Sequence, residues 1–209
     1  MTTVFIADPN DTLRAGIRAI LDRSDKYKVV GEASSRFQLL NALKNCRADV
    51  LLLEPKMGGA TGETLIRQIA ELAASTIILG ISDLDEKKYG VRVLRAGLKG
   101  FLRKDCEKDE LLSAIEQVST GHLHISMALA ERLVAALSPF ERVLPHHRLS
   151  ERELDVFYRL LHGDKINQIA RDLLLSPKTI STHKVRVFQK IGVSNLSELI
   201  RYALAHGIT

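Results

Sequence analysis

Two places in this 209-residue chain hold residue types able to do chemistry. The first is Glu54, in the stretch DVLLLEPKMGGATG from Asp49 to Gly62. Four apolar residues, Val50 to Leu53, lead straight into this one carboxylate and then into a glycine-rich loop. A short continuous apolar run reads as a strand buried on both faces, and binding groups in such sheets gather at the carboxyl ends of the strands. A carboxylate there can catalyse, accept a transferred group, or imitate one by its charge, and residue type alone leaves all three open. The second place is Pro177 to Lys190, whose bases are Lys178, Lys184, Arg186 and Lys190 and which holds no Asp or Glu. A one-signed stripe on a short helix is the footprint of a nucleic-acid partner, whereas solvated helix faces normally mix both signs.

Other candidates carry less. The adjacent pair His146–His147 lacks further ligands at metal-binding spacing. Cys46 and Cys106 lie far apart with nothing nearby to lower a thiol pKa, so they read as ordinary side chains of a reducing cytosol. No apolar run approaches the roughly 20 residues of a membrane span. The opening MTTVFIADPND has no basic n-region and meets an acid early, so the expectation is a cytoplasmic, non-secreted protein. The 45% hydrophobic content is that of an ordinary globular chain, and a net charge of +5 is by itself a weak pointer to a polyanion.

The elements that must position these groups follow from two alternating periods. Short apolar runs at Val4–Ala7, Val29–Gly31, Val50–Leu53, Ile77–Ile81 and Gly100–Leu102 read as strands. Between them lie helical spacings such as Leu13/Ile17/Ile20/Leu21 and Leu65/Ile66/Ile69/Leu72. Five strands alternating with five helices predict a doubly wound parallel sheet. A further helix covers Met127–Leu137, and Ser138 to Arg148, with Pro139 and Pro145, reads as an interdomain linker. From Leu149 onward the pattern is all helical. Ser150-Glu151-Arg152-Glu153 has capping-box spacing, Gly163 stops the first helix, and Ile166–Leu174 forms a second. Ser176 and Pro177 start a third that ends at Gly192, and Ser194-Asn195 open a fourth that ends at Gly207. Two short helices, a tight turn and a capped basic helix form a helix-turn-helix unit.

Several motifs carry a family resemblance. LSERE, Gly163, Ile169–Ala170, LSPKTISTH at Leu175–His183 and KIGV at Lys190–Val193 fall in register with the LuxR-type helix-turn-helix domain. FIAD at Phe5–Asp8, VVGEA, LLLE at Leu51–Glu54, RAG and GFLRKD at Gly100–Asp105 look like a receiver domain. Together they resemble response regulators of the NarL/FixJ family over essentially the whole chain. The resemblance implies an α/β receiver with a five-stranded parallel sheet of order 2-1-3-4-5, followed by an all-α four-helix domain. The expected domains are 1–121 (receiver), 122–148 (helix and linker) and 149–209 (helix-turn-helix).

The same resemblance implies a phosphoacceptor aspartate, two acids that help to hold Mg²⁺, a hydroxyl and a lysine for the phosphoryl group, and a reporter aromatic. Asp8 matches the first acid, and the second falls on Pro9, which has no side-chain oxygen. The acceptor position is Glu54, Ser82 matches the hydroxyl, Lys104 the lysine, and Phe101 the aromatic without a phenol. The loop keeps its methionine, with Gly58 in place of the family's proline. Acyl-phosphate chemistry needs a carboxylate in line with the phosphoryl group and a divalent ion on its oxygens. Mg²⁺ demands near-octahedral oxygen ligation, so weak or absent metal binding and no ordinary phosphorylation are expected. Glu54 is then either a partial phosphoryl mimic or part of a receiver that serves as a dimerisation platform. The alternatives are a conventional kinase-driven regulator and a protein-interaction anti-activator. No residue cluster in the sequence points to a small-molecule effector.

On the basic helix, Ile180, Val187, Phe188 and Ile191 are expected to pack inward. Lys178, Ser181, Thr182, Val185 and Arg186 then face the major groove, and Thr179, His183, Lys184 and Lys190 suit the phosphate backbone. The expected partners are promoter half-sites of double-stranded DNA and a second copy of the chain, with a protein partner possible at the receiver. In the last helix most of Leu196, Leu199, Ile200, Ala203 and Leu204 should be core, leaving exposed Tyr202 and Ala205 to meet the second copy.

Overall fold

The computed structural model describes residues 1–59, 62–137 and 144–208. Five strands form one parallel sheet: β1 (Thr2–Ala7), β2 (Tyr27–Ala33), β3 (Val50–Leu53), β4 (Ile77–Ile81) and β5 (Leu98–Leu102), in the order β2-β1-β3-β4-β5. Helices α1 (Asp11–Leu21), α2 (Arg36–Ala42), α3 (Glu63–Leu72), α4 (Glu86–Ala96) and α5 (Lys108–Ser119) connect and follow them. The alternation of side chains along each strand explains the two covered faces. Phe5, Ala7, Leu51 and Leu53 point to one face, among Leu39, Ile66 and Val93 of α2, α3 and α4. Val4, Ile6, Val50 and Leu52 point to the other, among Ile17, Leu111 and Ile115 of α1 and α5. The central strand β3 is therefore buried along its whole length, as its uninterrupted apolar run requires.

Helix α6 (Met127–Leu137) is the helix expected in the 122–148 stretch. Its Leu129 is buried against α4, where a Cβ added at Gly90 would lie only 2.7 Å from a Leu129 methyl. Just before α6, His124 pairs with Gly100 and extends the β5 edge. The chain divides into two compact units, Met1–Pro139 and Phe140–Thr209. Residues 138–143 of the expected linker lie outside the described residues, as do Ala60 and Thr61 of the glycine-rich loop. Pro145–Arg148 forms one 3-10 turn.

The second unit holds α7 (Glu151–Leu161), α8 (Ile166–Asp172), α9 (Pro177–Ile191) and α10 (Leu196–Ala205). Caps set their starts: Ser150 and Glu153 form the capping box, Ser176 accepts from the Thr179 amide, and Asn195 accepts from the Glu198 amide. Gly192 ends α9 in the left-handed conformation, φ +82°, which L side chains rarely adopt. Its core gathers Val156, Phe157, Ile169, Ile180, Val187 and Leu199. Among the described residues no helix is long and apolar enough to cross a membrane.

Candidate functional site

The carboxyl ends of β1, β3, β4 and β5 bring Asp8, Glu54, Ser82 and Lys104 together. Backbone bonds carry the ladder past the strand ends and fix these residues: Glu54 donates to Ala7 O at 2.8 Å, and Ser82 to Leu102 O at 2.9 Å. Asp8, Glu54 and Ser82 are all buried. Glu54 spends both oxygens. Oε1 accepts from Ser82 Oγ at 2.7 Å and from the Lys56 amide at 2.9 Å, while Oε2 lies 2.7 Å from Lys104 Nζ. The same ammonium is 2.6 Å from Asp8 Oδ2, an ion pair whose approach is off the hydrogen-bonding direction. Asp8 Oδ1 accepts from the Asn10 amide at 2.7 Å, and Arg14 donates to the Asp8 carbonyl. Burial alone would lower the Lys104 pKa, but its bonds to Asp8 and Glu54 and their charges outweigh that and raise it. Phe101 is buried beside this pocket's strand ends, at 9% exposure.

Mg²⁺ is the ion that the resemblance implies, and it meets a poor donor set here. The two carboxylates share one ammonium, and exposed Pro9 brings no side-chain oxygen. Among the described residues no group of three or more His, Cys, Asp or Glu is placed to hold a metal.

The second site is the face of α9. Lys178, Ser181, Thr182, Val185 and Arg186 are exposed, with Val185 at 54%. Spacings of three and four put them on one stripe. The Ser181 and Thr182 hydroxyls donate back to the carbonyls of Pro177 and Lys178. Thr179 is half-buried, its amide and hydroxyl engaged by Ser176. Half-buried Lys184 lies with Nζ 5.3 Å from the centroid of the Phe188 ring, a cation–π distance. Ile180, Val187 and Ile191 are buried, whereas Phe188 is only half-buried.

Three expectations need correction. Lys190 is not a free surface cation: Nζ donates to Glu153 at 2.6 Å and faces the Arg148 carbonyl at 3.4 Å. Glu153 is buried. Burial would raise its pKa, yet the bonds from Lys190 and Ser150 pull it below the ordinary value. Tyr202 is half-buried rather than exposed, and its hydroxyl bonds His146 Nδ1 at 2.8 Å. Of the five apolar residues of α10, only Leu199 and Ala203 are core; Leu196, Ile200 and Leu204 are exposed, Leu204 at 62%. Ala205 is exposed. His183 is half-buried with no hydrogen-bond partner for its Nδ1 among the described residues. Burial lowers its pKa, Glu153 works against this, and Arg186 and Arg152 add to it.

Comparison with known proteins places these two sites. Residues 4–116 match the model of the response regulator receiver domain, and residues 147–203 match that of the bacterial regulatory proteins of the luxR family. The chain belongs to the response regulator family. Response regulator UvrY of Escherichia coli O157:H7 is 35% identical over 212 residues, covering 100% of this chain and 96% of that protein. Response regulator GacA of Pseudomonas viridiflava is 31% identical over 209 residues, covering 100% and 98%. Among solved structures, RcsB from Salmonella enterica serovar Typhimurium, bound to promoter rprA in the presence of the phosphomimetic BeF₃⁻, matches with a TM-score of 0.60 and 27% identity. That match covers 96% of this chain and 97% of that one. A structure of two RcsB dimers bound to two parallel DNAs matches at a TM-score of 0.58 and 27% identity, covering 100% and 99%. The five-stranded order β2-β1-β3-β4-β5 followed by the helical unit is the architecture expected of a response regulator with this output domain.

Proposed function

We propose that this response regulator is a transcription factor, not an enzyme, that binds promoter DNA as a homodimer without needing aspartyl phosphorylation. The exposed stripe Lys178, Ser181, Thr182, Val185 and Arg186 enters the major groove. The capped start of α9 offers free amides to phosphate. RcsB, a relative solved as dimers on DNA, supports both the partner and the pairing. On α10 the exposed Leu196, Ile200 and Leu204 recur every four residues and give the second copy an apolar stripe.

One observation carries the phosphorylation-independent reading. Glu54 holds Ser82 and Lys104, each at 2.7 Å, the two groups that the resemblance assigns to the phosphoryl group. Its built-in carboxylate thus occupies part of the phosphoryl group's role through charge-assisted bonds. It has one charge and two oxygens where a phosphate has more of each, so the imitation is partial. A shared ammonium and Pro9 in place of an acid leave Mg²⁺ bound weakly or not at all.

The test compares Glu54, Glu54→Asp and Glu54→Gln proteins by sedimentation and gel shift, with and without beryllofluoride. The native protein should dimerise and bind DNA unaided, and Glu54→Gln should lose about tenfold in affinity, a coupling of ~1.4 kcal/mol. Three equal proteins would leave the receiver as a platform only. An acyl phosphate on Glu54 after incubation with acetyl phosphate would restore the conventional switch.

A further inference from the structure

A groove of about 350 Å³ runs between α1 and α5 in the first unit. Leu13, Ile17, Ile20 and Leu111 give it apolar walls, and Lys104 and Lys108 stand in its lining against one acid, Glu107. That size and makeup, apolar with a few polar groups, are those of small-molecule sites. An ammonium has three donors, and the Lys104 ammonium faces two carboxylates, Asp8 and Glu54. Its side chain remains 21% exposed, so its third N–H is reachable from outside. We propose that this groove binds a small amphipathic carboxylate, with its hydrocarbon chain on Ile17, Ile20 and Leu111 and its headgroup on Lys104 and Lys108.

The charge balance selects the headgroup, since a neutral ligand would leave the Lys104 donor unused and a cation would meet two ammonium groups. The concavity selects a small occupant: a helix is about 10 Å across with its side chains and would lie over the groove rather than in it. Because Lys104 also holds Glu54, a bound carboxylate draws on the ammonium that keeps the pocket closed. The ligand site itself does not depend on the DNA-binding reading.

Calorimetric titration of the full chain with hexanoate, octanoate and decanoate tests the chain subsite. Each pair of methylenes should tighten binding more than tenfold, roughly fourfold per methylene. Octanol should bind at least about tenfold more weakly than octanoate, the loss of one charge-assisted contact. Cys106 lines the groove and Cys46 does not, so octanoate should slow alkylation of Cys106 alone, read by peptide mapping. A Cβ added at Gly16 meets nothing within 4 Å, so Gly16→Leu fills the groove without a clash and should abolish both effects while keeping the melting temperature. Lys108→Glu, on the exposed rim, should weaken octanoate and leave octanol unchanged. Absence of saturable octanoate binding, octanol equal to octanoate, or unaltered binding in Gly16→Leu would each overturn the proposal. So would a dimer that Gly16→Leu dissociates while octanoate leaves it intact, which would make the groove an interface between copies.

Discussion

At the scale of single residues, the pocket and α9 show different degrees of legibility. Asp8, Glu54, Ser82 and Lys104 were recoverable from sequence because each sits at a strand end, where the fold itself brings distant positions together. His183 was harder to place. Its neighbours on α9 suggest a phosphate contact, but its half-buried ring depends on packing from α7 that no local pattern encodes. Its lowered pKa has a consequence for stability. The unfolded chain takes up a proton near the ordinary value of about 6.5, and the folded chain resists it. The stabilising contribution is therefore complete above about 6.5 and is lost as pH falls toward the folded value. Thermal unfolding at pH 7.5, 6.5 and 5.5 should show the second unit weakening with acid, and His183→Gln should flatten that slope. The other histidines titrate equally in both proteins, so an unchanged slope would remove His183 as the cause.

At the scale of elements, the strands and helices appear where the two periodicities put them, because apolar runs and caps are local signals. The ties between elements were not readable. Nothing in the sequence joins Lys190 at the end of α9 to Glu153 at the start of α7, 37 residues away. A basic stripe invites a count of every lysine as a DNA contact, and here one of them braces the helix that carries the others. The two roles separate in a salt titration. Each phosphate contact contributes a slope of about −0.9 in log affinity against log salt for duplex DNA. Arg186→Ala should lower both affinity and the magnitude of that slope by about one contact. Lys190→Met should leave the slope alone and destabilise the second unit by about 1–2 kcal/mol, since Glu153 is buried but the lysine is 41% exposed and screened. Equal slopes lost in both variants would return Lys190 to the DNA face. The same limit explains Tyr202, whose hydroxyl is claimed by His146, 56 positions earlier.

At the scale of the molecule, the two compact units have separate cores, so damage to one should be felt there alone. Gly62 has φ +74°, and a Cβ there would lie 2.2 Å from the Pro55 carbonyl oxygen. Gly62→Ala therefore combines backbone strain with a clash and should cost the first unit about 2 kcal/mol or more. Leu199 is fully buried in the second unit, and Leu199→Ala should cost that unit about 2–5 kcal/mol through the cavity it leaves. Scanning calorimetry should resolve two transitions, each variant lowering one of them. A single transition lowered by both would mean that the chain unfolds as one body. The two-domain plan was legible from the change of period near residue 149. The packing of α6 on α4 was not, because Leu129 and Gly90 only become neighbours once both helices exist.

The carboxylate at position 54 also bears on time. An acyl phosphate hydrolyses, and its lifetime sets how long a conventional regulator remembers a stimulus. A side chain written into the polypeptide has no such clock. With Glu54 already gripping Ser82 and Lys104, the memory of this protein is the lifespan of the molecule itself, and its output is set by how many copies the cell makes and how quickly it degrades them.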